Sequence, residues 1–266
     1  MSRSQQPPLL PGNYYQIYNR ANAGANLFRE ESDYRRFLRL YVKHISPVAE
    51  TYAWVLMPNH FHWLIGVKEG VVYKYSKEDF INKETPSGPA DADGFSDVDG
   101  LAFDEVKWET VHLSEVELGG EKDSSAAKPV RSGSFKEYKR INDGKIPNAT
   151  RHVGHLCNAY SKYFNEKYER TGSLFQRQYK RKLIDNEEYF RQVILYIHKN
   201  PVHHGFAENP DEYLWSSYHA FISSKSTQLR REEVLSRFQG HGDFKERHEA
   251  FGDSDFMMVE AWLEED

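Results

Sequence analysis

The chain has 266 residues, 39% of them hydrophobic and 28% charged, with a formal net charge of −5 and a mean hydropathy of −0.78. This length allows one large domain or two small ones, and no apolar run is long enough to span a membrane. The single cysteine, Cys157, excludes an intrachain disulfide and a multi-cysteine zinc site. Because the first residues also lack the apolar core of a signal peptide, we expect a protein of the reducing cytoplasm.

The negative charge is unevenly distributed along the chain. Residues 69–130 contain about 15 acidic and about 6 basic side chains, whereas residues 136–205 carry a net charge of about +7. A basic working part interrupted by an acidic insertion fits this distribution better than a uniformly acidic protein.

Composition divides the chain into five segments. We predict a flexible leader over 1–12, two halves of one domain over 13–67 and 148–222, and a helical tail over 223–266. Between the halves, residues 68–147 form an acidic, partly irregular insertion that is punctuated by Gly, Pro and Asp. We expect this insertion to be a surface loop. An acidic cover for a basic groove is the alternative.

The first half predicts three strands and a helix. Tyr14–Arg20 alternates and is rich in aromatic residues, which is typical of a strand. Apolar residues at helical spacing follow Ser32, which we expect to be the N-cap. Two further strands, about 50–57 and 60–67, are joined by a turn at Pro58-Asn59.

The last of these strands begins with His60-Phe61-His62. Side chains at i and i+2 of a strand share a face, so both imidazoles project together while Phe61 points to the opposite side. Two neutral imidazoles form a metal clamp that lacks at least one further ligand. An isolated His-x-His is otherwise a chance pair of strand histidines.

The second half predicts a helix over 148–167, a basic and aromatic segment over 169–182, and a helix over 187–199 that Asn200-Pro201 ends. Tyr196 and Asn200 are four residues apart, so they share a face if the last helical turn holds. Taken separately, they are a core tyrosine and a helix stop. Opposite a His-x-His pair, they would supply a nucleophile and an oxygen ligand.

Five motifs with these features occur in one order along the chain. They are Asn13–Asn22, Met57–Ile65, Tyr160–Gln176, Tyr196–Phe206 and Tyr213–Tyr218. Together they resemble the single-tyrosine HUH transposases, specifically the branch called REP-associated tyrosine transposases. The insertion lies outside the resemblance.

The resemblance implies an α+β fold, a ferredoxin-like central antiparallel sheet with helices packed against it. It implies cleavage and joining of single-stranded or hairpin DNA, such as repetitive palindromic elements, by a monomer or homodimer. By motif, His60 and His62 are the metal-binding pair, Tyr196 is the nucleophile, and Asn200 is the third ligand of Mg²⁺ or Mn²⁺. No general base is identified, and His198 points elsewhere on a regular helix.

Basic and aromatic residues are the candidates for DNA binding, because Lys and Arg neutralise phosphates and an aromatic ring can stack on an unpaired base. The candidates are Arg20, Gln176, Arg177, Tyr179, Lys180, Arg181 and Lys182. The alternative is a solvated basic surface with Tyr179 in the core.

Three functions compete at this stage. The first is an active DNA-nicking and strand-transferring enzyme, and the second is a domesticated hairpin-binding protein that no longer transposes. The third is a His-x-His metal hydrolase of small molecules, which lacks a convincing set of carboxylate ligands. The complete set of two histidines, a tyrosine and an asparagine favours the first.

Overall fold

The computed structural model describes residues 8–73, 108–110 and 147–265. Within these residues the strands are β1 (Tyr14–Arg20), β2 (Ala49–Met57), β3 (His60–Val67), β4 (Val71–Tyr73), β5 (Trp108–Thr110) and β6 (Lys180–Ile184). The α-helices of the same residues are α1 (Glu31–His44), α2 (Ala149–Lys167), α3 (Glu187–His203), α4 (Tyr218–Ile222), α5 (Arg231–Arg237), α6 (His241–Ala250) and α7 (Asp253–Glu264).

Four strands form one antiparallel sheet in the order β2-β3-β1-β6. The predicted α+β class with a central antiparallel sheet is confirmed. In this register Tyr18 of β1 lies opposite His62 of β3 on one side and opposite Lys180 of β6 on the other, and Arg20 lies opposite His60. The sheet therefore brings side chains from both halves of the sequence into one row.

One face of the sheet packs against α1 and α2. Phe61 is fully buried there, with its ring stacked on that of Trp63 at 4.2 Å between centroids. The rings of Phe37 and Tyr160 complete an aromatic layer between this face and the two helices. The prediction that Phe61 serves the core is confirmed.

Helix α3 crosses the opposite face, and the C-terminal helices pack around it. Residues of β2, β3 and α3 share one hydrophobic core with residues of α4 to α7, among them Phe221, Val234, Phe238, Phe244 and Phe256. The residues after 222 thus bury apolar side chains in the same core as α3. Burial of this apolar area stabilises the position of α3 on the sheet.

The start of α1 differs from the prediction. Ser32 lies inside the first turn, and Glu30 is the N-cap. The buried carboxylate of Asp33 accepts hydrogen bonds from the backbone N–H groups of Arg29 and Glu30 at 2.9 and 3.2 Å. A carboxylate three residues into the helix thus bonds back to the backbone at the N-cap, as in a capping box, and the Ser32 hydroxyl bonds instead to the Glu30 carboxylate at 2.7 Å.

The end of α3 also differs. We expected the helix to stop at Lys199, but it continues through Pro201 to His203. Proline has no N–H and so removes one helical hydrogen bond, but the N–H groups of His204 and Phe206 still bond to the carbonyls of Asn200 and Pro201 at 3.0 and 2.8 Å. Gly205 follows the C-cap residue His204, and its φ of 72° is the left-handed conformation that glycine tolerates after a helix.

The described residues within 1–69 and 148–266 form one compact unit, and those within 70–147 form a second. In the second unit β4 pairs antiparallel with β5, with Val71 opposite Thr110. The remainder of the predicted insertion, and residues 1–7 of the predicted leader, lie outside the described residues. Among the helices that are described, none is long and apolar enough to cross a membrane.

Candidate active site

Two imidazoles lie side by side at the start of β3. The ring centroids of His60 and His62 are 5.1 Å apart at an interplanar angle of 84°, and the residues are only 3% and 4% exposed. Strand alternation directs both rings to the side of the sheet that α3 covers. The His-x-His pair is therefore enclosed between a strand and a helix.

Helix α3 presents Tyr196 and Asn200 to this pair. The ring of Tyr196 meets that of His62 edge to face, with centroids 5.4 Å apart. Asn200 lies one turn later and is fully buried, and its Nδ2 donates to the Tyr196 carbonyl at 2.9 Å. Because α3 continues beyond Asn200, both side chains remain on the face that covers β3. Four residues from distant parts of the sequence thus meet at one place.

Neighbouring side chains orient the two imidazoles. Oδ1 of Asn59 accepts a hydrogen bond from Nδ1 of His60 at 2.6 Å, which leaves Nε2 of that ring unprotonated. Nε2 of Gln16 lies 2.8 Å from Nδ1 of His62, and Oε1 of the same amide is buried without a partner among the described residues. Rotating the amide by 180° would let Oε1 accept Nδ1–H of His62 and free Nε2 of that ring as well.

Besides Oε1 of Gln16 and the Tyr18 hydroxyl, two further buried polar atoms at the site have no hydrogen-bond partner in the described part of the chain. They are Nε2 of His60 and Oδ1 of Asn200. Burial lowers the pKa of His60 to about 3, Arg20 and His204 lower it further, and the neighbouring Asn200 side chain raises it by a smaller amount. The pKa of His62 is also held well below its usual value by burial. Neutral imidazoles with a free nitrogen, next to an amide oxygen, are the donor set that a divalent ion requires.

The residues present therefore fit a metal ion, but they supply only two imidazoles and one amide oxygen as protein ligands. In the described ranges, no cluster of three or more His, Cys, Asp or Glu side chains is arranged to hold a metal. A metal here would be held by His60, His62 and the neutral oxygen of Asn200, and other ligands would come from water or substrate.

Cationic and phenolic groups surround the pair. Tyr18 stacks on His62 with centroids 5.3 Å apart, and Nζ of Lys180 lies 5.9 Å from the centre of the Tyr18 ring. Arg20 is exposed at the end of β1, opposite His60 in the register. The ring of His204, just after α3, lies 5.3 Å from that of His60. Arg20 and Lys180 thus bring two positive charges to the mouth of the site, while the carboxylates of Glu260 and Glu264 on α7 lie near enough to act on Tyr196.

Tyr196 itself is covered. It is 3% exposed, and the ring of Phe256 from α7 lies 4.5 Å from its ring. Burial raises the pKa of the Tyr196 phenol above its usual value, and the carboxylate of Glu260 raises it further, whereas the Asn200 side chain lowers it. The phenol is thus protonated and enclosed in this conformation.

The residues considered for DNA binding fall into two groups. The backbone N–H of Gln176 donates to the Arg20 carbonyl at 2.9 Å, so the exposed Gln176 and Arg177 lie beside Arg20, at the end of the sheet where His60 lies. Lys180 lies on the face of the His pair, as described above. These residues form one positive surface around the mouth.

The others lie apart from that surface or are engaged elsewhere. Nζ of Lys182 donates to the Glu265 carbonyl at 2.7 Å and lies 5.1 Å from the Trp262 ring centre. Tyr179 donates to the Thr150 carbonyl at 3.2 Å and accepts from Arg181, on the side of the sheet that α2 covers. The ring of Tyr179 is half-buried there.

Sequence reasoning missed four residues of the site. These are Gln16, Tyr18, Asn59 and Phe256. A signal for the first two was present, because Gln16 and Tyr18 alternate with Arg20 on one strand and therefore share its face. Asn59 was read only as a turn residue. Nothing in the local sequence connects Phe256 with Tyr196.

The described residues define an α+β protein with a His-x-His and tyrosine site between an antiparallel sheet and a helix. Neither a protein-family model nor a curated protein sequence matches the chain. Among solved structures, the chain is similar to one described as a REP-associated tyrosine transposase bound to a REP hairpin, with a TM-score of 0.45 and 14% sequence identity over 84% of this chain and 87% of that chain.

Proposed function

We propose that the chain is a metal-dependent, single-tyrosine DNA transposase or nickase. It cleaves and rejoins single-stranded or hairpin DNA through a 5′-phosphotyrosine intermediate. The observation that carries this proposal is the meeting of Tyr196, His60, His62 and Asn200, which motif positions alone had marked as one catalytic set. Repetitive palindromic elements are the DNA that the motif resemblance implies.

The residues at the mouth would bind the DNA backbone. Arg20, Arg177 and Lys180 present cations that can neutralise phosphates. His60, His62 and Asn200 would hold Mg²⁺ or Mn²⁺, which when bound polarises a non-bridging phosphate oxygen. The low pKa of His60 keeps its imidazole neutral and able to act as a ligand at neutral pH.

The chemical step is a displacement at phosphorus. A bond forms between the Tyr196 phenolic oxygen and phosphorus, and the bond from phosphorus to the 3′ oxygen breaks. The electron pair leaves with the 3′ oxygen, which takes up a proton to become a hydroxyl. Because one phosphate ester replaces another, the same hydroxyl can attack the phosphotyrosine and reseal or transfer the strand without ATP.

His198 does not act as the base in this scheme. Its two ring nitrogens lie 2.8 Å from His248 Nε2 and from Ser217 Oγ, so neither is free to accept a proton from Tyr196. Once Tyr196 is accessible, its phenolic proton passes to solvent as the bond to phosphorus forms, and the departing 3′ oxygen takes up a proton from solvent, so protons balance. Access for a phosphate requires movement of Phe256, because its ring covers the tyrosine.

The same enclosure favours a second candidate function. A tyrosine that is 3% exposed and has a raised pKa is a poor nucleophile in this conformation. A domesticated protein that binds hairpin DNA through the positive mouth, and no longer transposes, would keep the surface without opening the site.

A covalent-adduct assay separates the two functions. The purified protein is incubated with Mn²⁺ and a hairpin oligonucleotide labelled on the 3′ side of the cleavage site, because that fragment keeps the 5′-phosphotyrosine. The products are then resolved under denaturing conditions. We expect a labelled protein–DNA adduct that Tyr196→Phe abolishes, whereas Tyr189→Phe, seven residues earlier on α3, still forms it.

Hairpin binding without an adduct in the wild-type protein would support the binding protein instead. An adduct that persists in Tyr196→Phe would show that another residue is the nucleophile. Omission of Mn²⁺ with added chelator tests the metal separately, because binding should survive while the adduct is lost.

A further inference from the structure

The back of the Tyr196 helix carries a buried chain of hydrogen bonds. His198 Nε2 lies 2.8 Å from Ser217 Oγ, and His198 Nδ1 lies 2.8 Å from His248 Nε2. The chain continues at one end to the backbone N–H of Trp54 on β2, which donates to Ser217 Oγ at 2.9 Å. At the other end His248 Nδ1 lies 2.6 Å from the Phe244 carbonyl. All three side chains are 2% exposed or less.

The Phe244 carbonyl fixes the direction of every bond. A carbonyl can only accept, so Nδ1 of His248 must carry a proton and Nε2 of that ring must be an acceptor. Nδ1 of His198 therefore donates to it, and Nε2 of His198 accepts from the Ser217 hydroxyl. The hydroxyl oxygen in turn accepts from Trp54 N–H. One arrangement of protons satisfies these buried groups of the chain, and it contains no charge.

His198 lies on the side of α3 that faces away from the candidate active site. At 3.6 residues per turn, position 198 is rotated by about 200° from Tyr196, whereas position 200 is rotated by only about 40°. The hydrogen bonds of His198 attach this far side of α3 to β2, through Ser217 and Trp54, and to α6, through His248. Trp54 of β2 is itself paired with Trp63 of β3, the strand that carries His60 and His62.

Directional contacts of this kind control the rotation of the helix. The apolar residues of α3, such as Val193 and Ile197, pack without directional preference and tolerate small rotations. Side chains lie about 5–6 Å from a helix axis, so a rotation of about 10° moves the Tyr196 ring by about 1 Å. A displacement of that size can cost about 100-fold in rate.

We propose that His198, Ser217 and His248 are positioning residues, which hold α3 at the rotation that presents Tyr196 and Asn200 to His60 and His62. This inference rests on the proposed function. It concerns residues that touch neither DNA nor metal, and it assigns a role to α6, which lies outside the segments that resemble a known family.

The test compares three variants in the adduct assay under single-turnover conditions with Mn²⁺. His248→Leu removes the acceptor of the His198 proton. His248→Gln restores an acceptor, because its amide oxygen can stand where Nε2 does. Val234→Ala removes buried methyl groups from the same core without touching the chain. Thermal unfolding of each variant identifies a temperature at which all are folded.

We expect His248→Leu to cleave about 10–100-fold more slowly, with the half-saturating hairpin concentration changed less than about threefold. His248→Gln should recover most of the rate. Val234→Ala should lower the melting temperature and leave the rate unchanged. A rate for folded His248→Leu within twofold of the wild type would overturn the proposal, as would an equal loss in Val234→Ala.

A second measurement does not depend on cleavage or on any variant. Long-range ¹H–¹⁵N spectra of the wild-type protein at neutral pH should show His198 and His248 as the tautomers protonated at Nδ1. The opposite tautomer at either ring would contradict the proposed series of hydrogen bonds and overturn the proposal. A wild-type protein with these tautomers but no covalent adduct would instead contradict the proposed function.

Discussion

At the residue scale, the candidate site contains buried atoms that the folded chain leaves unsatisfied. Oδ1 of Asn200 and Nε2 of His60 have no hydrogen-bond partner in the described ranges. Each such group costs about 1–3 kcal/mol, because water that it bonded in the unfolded chain is not replaced. Sites that bind a ligand or metal commonly sacrifice stability in this way.

This sacrifice predicts an unusual result for Asn200→Leu. An apolar side chain of similar volume removes the unsatisfied acceptor, so the metal-free variant should be as stable as the wild type or more stable, by up to about 1 kcal/mol. If the proposed site binds Mn²⁺, the ion should raise the melting temperature of the wild-type protein through mass action, and this increase should be lost in the variant. Differential scanning calorimetry with and without Mn²⁺ measures both effects.

The matched control for this prediction is Asn158→Leu, the same substitution at an exposed position of α2. It should leave the Mn²⁺-dependent increase unchanged. If Mn²⁺ stabilises the Asn200→Leu protein as much as the wild type, Asn200 is not a ligand of the metal.

At the scale of elements, Asp33 connects α1 with α2. Its buried carboxylate accepts from Lys167 Nζ at 2.8 Å and from the hydroxyls of Tyr163 and Tyr168 at 3.0 and 2.7 Å. Burial by itself raises the pKa of Asp33. The Lys167 ammonium and the hydrogen bonds outweigh that effect, so the pKa lies below its usual value. The ionised carboxylate therefore stabilises the fold above about pH 4, and this stabilisation is lost as the pH falls further.

Asp33→Ala should lower the free energy of unfolding by about 2–3 kcal/mol, because it leaves the Tyr163 and Tyr168 phenols without their acceptor and removes the buried carboxylate from Lys167, which keeps its bonds to Glu30 and Ser32. The estimate is below that for a fully buried pair, since the Lys167 side chain is 26% exposed. Urea unfolding at pH 7 measures the loss. Glu31→Ala, in the same helical turn but 62% exposed, should cost less than about 1 kcal/mol. Equal losses in the two variants would contradict this account.

At the scale of the whole molecule, the uneven distribution of charge matters more for an encounter with DNA than the net charge does. The formal charge is −5, yet Arg20 and Lys180 lie at the candidate site, and the exposed Arg177 follows Gln176, whose backbone N–H bonds to Arg20. A local positive potential governs encounter with DNA more than the total does. A net acidic protein can accordingly bind a polyanion.

Salt dependence tests this surface. For single-stranded DNA, each neutralised phosphate contributes about 0.7 to the slope of log affinity against log salt. The double variant Arg177→Ala/Lys180→Ala should therefore lower that slope by about 1.4, measured by fluorescence anisotropy with a labelled hairpin between 50 and 300 mM salt (roughly the range over which such binding weakens). Lys162→Ala, on α2, should not change it. An unchanged slope in the double variant would exclude this surface as the phosphate contact.

The sequence by itself indicated most of the elements, although not the strand β6, and it indicated the residues of the candidate site. Alternation fixes β1 and β3, and it requires both imidazoles to share a face while Phe61 enters the core. These are consequences of one strand's own geometry, which depends on no distant contact. Five motifs in one order then linked Tyr196 and Asn200 to the histidines.

Only the tertiary structure decided how that site is built and closed. Local rules placed a helix stop at Asn200-Pro201, but α3 continues to His203. Its packing on the sheet offsets the one hydrogen bond that Pro201 cannot make. The roles of Gln16 and Asn59 depend on which nitrogen of the His62 and His60 rings each one contacts. His198 is hydrogen-bonded to Ser217 and His248, which are 19 and 50 positions away in the sequence. Phe256 covers Tyr196 from a helix 60 residues later. Contacts between distant elements do not recur at a regular spacing in the sequence, so no local pattern could predict them.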